Sequence, residues 1–387
     1  MPATLTPAQL ARDLAVRDLT DPAAGPHAVQ LVVEQAVAAL AARWSCAVRW
    51  WPGDRIVTVA DNYDHLGYDP ADVTRDARYT RYVDDGHVLR SHSTAMIPAA
   101  LRALAAAPAD DVLLVCPGVV YRRDSIDRLH SGTPHQLDLW RITRGTVRRT
   151  DLEEMAAALV PDRGWRLEPR RHPYTVDGAQ LDVEHDGGWV EVAECGLAHP
   201  DVLARAGLGD GWSGLALGMG LDRMLMLRKG IPDIRLLRSA EPAVAAQMTD
   251  LAPYRPVSAL PPVRRDLSIA VAADDRAEDL GDRVRDALGA DADVVESVEI
   301  RRETPCAELP PPALARLGAR PDQKNLLVRL VLRPLDRTLS DHDANVLRDR
   351  AYAALHRGSI HQWAGSGSQA PDRDGGEAPG SRDTGGR

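Results

Sequence analysis

A proline-bearing stretch, residues 253–262, divides the chain into two parts with different hydrophobic patterns, and this division constrains the fold more than any other feature. After it, five short segments follow closely. The pattern predicts a strand at 267–271, a helix at 275–288 with Asp274 as N-cap, and strands at 293–303 and 326–332. A last helix spans 340–355, where Ser340 and Asp343 have the spacing of a capping box. This β-α-β-β-α order is most of a ferredoxin-like module. Before the division, residues 29–44 put Val32, Val33, Ala36, Val37, Leu40 and Trp44 on one helical face. Apolar runs at 111–116, 119–123, 137–143, 189–195 and 215–220 read as strands, the first ended by the turn pair Pro117–Gly118. The runs 119–123 and 137–143 bracket a polar loop, 124–136, and 215–220 runs into an amphipathic helix at 221–229. Residues 54–85 are polar and rich in turn signals. The tail, 365–387, is rich in Gly, Ser, Pro and Asp and is expected to be disordered.

A chain of 387 residues has room for two or three domains with cores of their own. No apolar run approaches the length of a membrane span, and the first residues lack the basic start and apolar core of a secretory signal. The four cysteines, Cys46, Cys116, Cys195 and Cys306, form no CxxC pair; this argues against a disulfide scaffold or structural zinc and suits a reducing, cytoplasmic location. The net charge of −9 excludes a globally basic nucleic-acid coat. Phenylalanine is absent, where average usage would supply on the order of ten. Arginine outnumbers lysine 45 to 2, which points to GC-rich coding, yet eight tyrosines and nine isoleucines survive that skew.

Several patterns carry chemistry. Residues 209–214 fit GxGxxG but follow a helical stretch instead of a strand, so a dinucleotide site fails its context test. His130 and His135 have no third ligand at metal spacing. The run Tyr121-Arg122-Arg123-Asp124 ends a strand and is followed by His130, His135, Gln136 and Asp138. An arginine fork there suits phosphate, and a carboxylate two residues beyond Arg122 lies on the same strand face, ready for an amine. In Gly214-Leu-Ala-Leu-Gly-Met-Gly-Leu-Asp-Arg223, a glycine-spaced strand lets a flat ligand lie near the backbone, and Arg223 falls in the first turn of a helix.

In this order the two segments resemble motifs 2 and 3 of the class II aminoacyl-tRNA synthetases, and most closely the phenylalanyl-tRNA synthetase catalytic (alpha) subunits. The resemblance extends over roughly 55–245 and includes Leu89-Arg-Ser-His-Ser-Thr94, His199-Pro200 and Gly230-Ile-Pro-Asp-Ile-Arg235. Pro261-Pro-Val-Arg-Arg-Asp-Leu267 and Arg337-Thr-Leu-Ser340 look like the anticodon-binding domain of the same family. The resemblance implies an α+β fold: an antiparallel-sheet catalytic core with flanking helices, then a ferredoxin-like βαββα module. It divides the chain into an N-terminal helical segment (1–50), catalytic domain (51–250), linker (251–262), anticodon-binding domain (263–364) and tail (365–387).

The resemblance also implies roles. Arg122 would hold the ATP α-phosphate and Arg223 the γ-phosphate, over Gly218 and Gly220, with Glu191 helping to bind Mg²⁺. His92, Thr94, Asp124 and Gln136 would fix the amino acid's ammonium and carboxylate, supported by Asp138. His172 and Tyr174 would face its ring, with Ala216 at the pocket floor. Arg264, Arg333 and Arg337 would meet tRNA, in keeping with eight basic against five acidic residues over 320–357. The partners implied are ATP, an aromatic amino acid and tRNA, most simply phenylalanine and its tRNA, with no membrane; monomer and homodimer both stay open. The chain departs from the family at His172 and Tyr174, which replace two phenylalanines, at Leu215 and Leu217, and at Asp124, Glu194 and Cys195. The alternatives are therefore a paralogue that activates tyrosine or a non-standard aromatic amino acid, or a non-ligating tRNA-binding regulator.

Overall fold

Apolar residues on both faces of one long sheet organise the N-terminal part. The computed structural model describes residues 4–257, 261–335 and 337–361, so the expected disordered tail lies outside the described residues. Helices α1 (Pro7–Leu14) and α2 (Ala28–Trp44) precede β1 (Ala47–Trp50), β2 (Ile56–Thr58), α3 (Val59–Asn62), β3 (His87–Leu89) and α4 (Ile97–Ala106). Next come β4 (Asp111–Val119), β5 (His135–Thr143), α5 (Arg149–Leu159), β6 (Trp165–Pro169), β7 (Thr175–His185) and β8 (Gly188–Ala198). Helix α6 (Pro200–Arg205), β9 (Ser213–Gly220), α7 (Leu221–Lys229) and α8 (Pro242–Ala245) complete this part. Seven strands form a sheet in the order β1-β4-β5-β9-β8-β7-β6. Only β1 and β4 are parallel; the other neighbours are antiparallel.

The pleat sorts side chains to two cores. Leu113, Val115, Leu215 and Leu217 pack with α2, α5 and α7 on one face. Leu114, Cys116, Trp140 and Ala216 pack with α4 and α6 on the other. A strand buried on both faces reads as a continuous apolar run, as 111–116 does. The turn expected at Pro117–Gly118 does not form: β4 continues through both residues, paired with β5 from Asp111↔Thr143 to Val119↔His135. β1 pairs with β4 only as far as Val115, so Pro117 lies where β4 has a single neighbour and its missing N–H is tolerated. Gly118 is required for another reason: a Cβ there would lie 2.0 Å from Arg90 Nη2. The buried Arg90 guanidinium donates to the carbonyls of Val119 and Pro52, both at 2.8 Å.

The C-terminal part contains β10 (Val263–Ala272), α9 (Ala277–Leu288), β11 (Val295–Pro305), α10 (Pro311–Leu317), β12 (Gln323–Leu332) and α11 (Asp341–Leu355). Its antiparallel sheet has the order β10-β12-β11. Leu326, Val328, Leu330 and Leu332 alternate onto the face covered by α9 and α11. Helix α9 starts two residues later than expected. Asp275 turns instead to Arg283, at 2.6 Å, and accepts the Ala272 N–H, closing the turn from β10. Ser340 caps α11 by accepting the Asp343 N–H at 3.1 Å.

Candidate active site

The loop between β4 and β5, with β8 and β9, borders two cavities of about 300 and 390 Å³. Arg122, Gln136, Glu194 and Gly218 line both, so the cavities meet at these four residues. Sheet register places them. Glu194 on β8 and Asp138 on β5 both lie opposite Gly218 on β9, so all three share one sheet face. Glycine leaves that floor open. A Cβ at Gly218 would meet nothing closer than Asp138 Oδ2 at 3.5 Å, and one at Gly220 nothing closer than Arg223 Cβ at 3.9 Å. Protein packing does not demand glycine at either position, and the room is left to a ligand.

The first cavity is walled by rings and by a buried carboxylate. Tyr68 stacks on His92 with centroids 5.7 Å apart, and Tyr68 and Tyr174 lie 6.4 Å apart. His172 stacks on Tyr174 at 5.5 Å, and Trp140 lies 6.1 Å from the same ring. Both nitrogens of His92 are buried without a hydrogen-bond partner among the described residues. Burial, then the Arg122 charge, pushes its pKa down to about 3, so the ring is neutral with its polar atoms unspent. Asp138 accepts from Ser93 Oγ, from Trp140 Nε1 at 3.0 Å and from Thr94 Oγ1 at 3.3 Å. Gln136 Oε1 accepts the Ser93 N–H at 3.1 Å.

Burial lifts the Asp138 pKa to about 6, against the effect of these hydrogen bonds. Because the folded value lies above the ordinary 3.8, this group stabilises the fold at low pH, and that contribution is lost as pH rises through 6. Asp138→Asn should therefore gain roughly 2 kcal/mol on wild type between pH 4 and pH 7. Urea unfolding of both proteins at the two pH values checks this; parallel pH dependence would refute it.

The second cavity is more polar. Asp124, His130, Ser131, Glu191, Gly220 and Arg223 line it. Arg223 Nη1 donates to the Glu191 carbonyl at 3.0 Å, which ties the helix to β8. Burial, then the charge of Glu194, raises the Glu191 carboxyl. Glu194, which lines both cavities, has its Oε1 3.3 Å from His172 Nε2. Burial alone would raise the Glu194 pKa, but His172, Arg170 and Arg122 outweigh it and hold the carboxyl below its usual range. Among the described residues, no three His, Cys, Asp or Glu side chains converge as a metal cage, and no helix is long and apolar enough to cross a membrane.

His92, Thr94, Gln136, Asp138 and Tyr174 thus meet Arg122 and Gly218 in the first cavity. Asp124, expected beside the amino acid, lines only the second, where Glu191, Gly220 and Arg223 also lie. His172 and Ala216 stand behind the wall: His172 on Tyr174, Ala216 buried with Trp140 and Tyr174. Cys195, Leu215 and Leu217 point to the opposite core, because adjacent strand residues face opposite ways. Arg264 and Arg337 are exposed in the C-terminal part, and Arg333 pairs with Glu296 at 2.6 Å. The sequence reading missed Ser93 and the wall formed by Tyr68, Thr74, Tyr79 and Thr80. A signal was present: four of the eight tyrosines fall within 63–82, inside an otherwise polar stretch.

This geometry can be set beside known proteins. The chain is 34% identical over 193 residues to the phenylalanine–tRNA ligase alpha subunit of Prochlorococcus marinus (strain MIT 9313), covering 49% of this chain and 56% of that protein. Against the alpha subunit of Leptospira biflexa (strain Patoc 1 / Ames) the identity is 32% over 204 residues, 48% of this chain and 59% of the relative. The alpha subunit of Nostoc punctiforme is 31% identical over 193 residues, 49% of this chain and 57% of its own length. The chain therefore spans little more than half the length of the curated relatives it matches. Residues 21–248, which contain the seven-stranded sheet and both cavities, match the family described as tRNA synthetases class II core domain (F). By that match, which covers more than half of its length, the chain belongs to the class II tRNA synthetase core family.

Proposed function

We propose that the protein activates an aromatic amino acid, phenylalanine in the first instance, with ATP and transfers the acyl group to tRNA. The observation that carries this is the place of Arg122, on the seam between a ring-walled cavity and a polar one. An amino acid in the first cavity would turn its carboxylate toward the seam, and ATP in the second would present its α-phosphate there. Arg122 would stabilise charge on that phosphate during in-line attack, with adenylate and pyrophosphate as products. Arg223 would hold the γ-phosphate, over the open floor at Gly218 and Gly220. Orientation and fixed charge do most of the work. A single protein carboxylate, Glu191, suits Mg²⁺, which takes most of its ligands from phosphate and water. The bound ion would neutralise phosphate charge. Asp138 would support the groups that hold the ammonium.

The proposed catalytic domain is 51–250, after a helical segment, 1–50; a linker, 251–262, leads to an anticodon-binding module, 263–364. The sheet order β10-β12-β11, with both long helices on one face, supports a ferredoxin-like reading of that module. Arg264 lies opposite Val331, on the face turned away from those helices, and is open to a phosphate backbone. A cytoplasmic location fits this role.

A second reading is favoured by one observation, the ionised Glu194 beside His172 at the ring cavity. Such a pair suits a ring bearing a hydroxyl. ATP–pyrophosphate exchange across the aromatic amino acids, without tRNA, tests both. Fastest exchange with phenylalanine is expected. Exchange only with hydroxylated rings would favour the second reading, and Glu194→Gly should then shift preference toward phenylalanine by about tenfold or more. Silence with every amino acid would leave a non-ligating tRNA-binding regulator.

A further inference from the structure

The C-terminal part grips the loop that carries the reacting-site arginine. Hairpin bonding between β4 and β5 extends past the strands only to the Val120 N–H on Pro134 O, at 2.8 Å, and the Arg122 N–H on Gly132 O, at 2.9 Å. Beyond that base, the N-terminal part holds residues 123–131 by the Ile234 N–H on Arg128 O, at 2.8 Å, and by the Arg123 N–H on Tyr79 O, at 3.4 Å. Residues 124–126 are held from outside. Arg285 on α9 donates from Nη1 to the Asp124 carbonyl and from Nη2 to the Ser125 carbonyl, the latter at 2.8 Å. Gly281, one turn earlier on α9, lets the helix touch the loop backbone: a Cβ there would lie 2.6 Å from Asp124 O and 3.2 Å from Ser125 Cα. Ile126, 8% exposed, enters the core formed by β10, β11, β12, α9 and α11, and its carbonyl accepts the Val298 N–H at 2.9 Å.

The same loop furnishes one wall of the polar cavity through Arg122, Asp124, Leu129, His130 and Ser131. Only Arg122 and Arg123 from it reach the ring-walled cavity. The gripped carbonyls and the cavity-lining side chains lie on one short run of backbone. Fixing the first fixes the second, and placement to within a fraction of an ångström governs rate in a reaction run by orientation and charge.

We propose that Arg285, seated by Gly281, is a positioning residue for the ATP half of adenylate formation, so that the C-terminal module serves amino-acid activation before any tRNA is bound. This rests on the adenylating function proposed above. It assigns to this module a task separate from tRNA recognition, and it separates the two substrates. Releasing the loop should disturb ATP far more than the amino acid.

The test uses the full chain and tRNA-free exchange. Arg285→Ala is expected to raise the KM for ATP about tenfold or more, as loss of two charge-assisted hydrogen bonds implies, while the amino-acid dissociation constant changes less than about twofold. Arg285→Lys should fall between, because an ammonium cannot span both carbonyls as a planar fork does. Gly281→Ala is the sharper variant. Alanine is the better helix former, so α9 should hold at least as well, yet the new Cβ pushes the loop away and should reproduce the ATP defect. Arg283→Ala removes an ion pair internal to the module, with Asp275, and should leave exchange at the wild-type level. Wild-type ATP kinetics in Arg285→Ala and Gly281→Ala would overturn the proposal. So would a parallel loss of ATP and amino-acid affinity shared with Arg283→Ala. If the wild type exchanges with no amino acid, the adenylating function fails, and the positioning claim is read from calorimetric binding of ATP with Mg²⁺; unchanged affinity in Arg285→Ala then overturns it separately.

Discussion

Arg122→Ala should reduce ATP–pyrophosphate exchange at least about a thousandfold without unfolding the protein. The side chain is aimed by a single bond, Nε to the Ser91 carbonyl at 2.9 Å, and it lines both cavities. That bond uses the inner edge of the guanidinium and leaves the outer fork for a ligand. Its own charge also helps to keep His92 neutral and Glu194 ionised, so its loss would alter both cavities together. Arg122→Lys should recover little, since a point charge cannot reproduce a planar bidentate contact. Exchange kinetics beside a thermal melt decide the matter. A variant that keeps more than about a tenth of wild-type exchange would remove Arg122 from the reacting centre.

The largest loss of stability is expected from Asp222→Ala, on the order of 3 to 5 kcal/mol. Asp222 is 5% exposed and precedes Arg223 on α7. Its carboxylate accepts the His135 N–H and the His135 Nδ1–H, both at 2.8 Å. That fixes the tautomer, and Nε2 accepts from the Leu19 N–H and from Arg238, both at 3.1 Å. Arg238 also donates to the carbonyls of Thr133 and Arg17, at 2.7 and 2.9 Å. One carboxylate therefore joins α7, β5, the N-terminal segment and the residues after α7. Removing it leaves a buried arginine without its anion, and the His135 backbone N–H and Nδ1–H without an acceptor. Burial alone would raise the Asp222 pKa; His135 and Arg238 outweigh it and hold the value below 3.8. A lowered folded value means that the stability is present above 3.8 and is lost as pH falls through the folded pKa. The gap between wild type and Asp222→Ala should accordingly close in acid. Denaturant unfolding at neutral and acid pH measures it; a neutral-pH loss below about 1 kcal/mol would contradict the network argument.

His135 shows how a role can escape a local reading. Weighed only by its spacing from His130 in the sequence, it is paired separately by the structure, His130 with Asp127 and His135 with Asp222. No spacing in the sequence links residue 135 to residue 222. The sheet does so, because β5 and β9 are neighbours and α7 follows β9 directly.

The absence of phenylalanine has a visible consequence. The rings around the first cavity are Tyr68, His92, Tyr174 and, behind them, His172 and Trp140, each with a polar atom that requires placing. Elsewhere leucine, valine and methionine fill the cores.

The sequence by itself determined the elements whose patterns are local: helix α2, helix α7 to the residue, the alternating β12 and the cap at Ser340. Periodicity, caps and glycine spacing act within a few residues, so they can be read without the fold. Only the tertiary structure decided that Pro117–Gly118 continues a strand, because the β5 ladder outweighs a local turn preference. It also placed Asp124 beside the polar cavity, turned Cys195 and the flanking leucines away from the site, and brought Tyr68 to the wall. The contact of Arg285 with Asp124 and Ser125 spans 161 and 160 residues of chain. Such contacts depend on which surfaces meet once both sheets have formed, and no short-range pattern encodes that meeting.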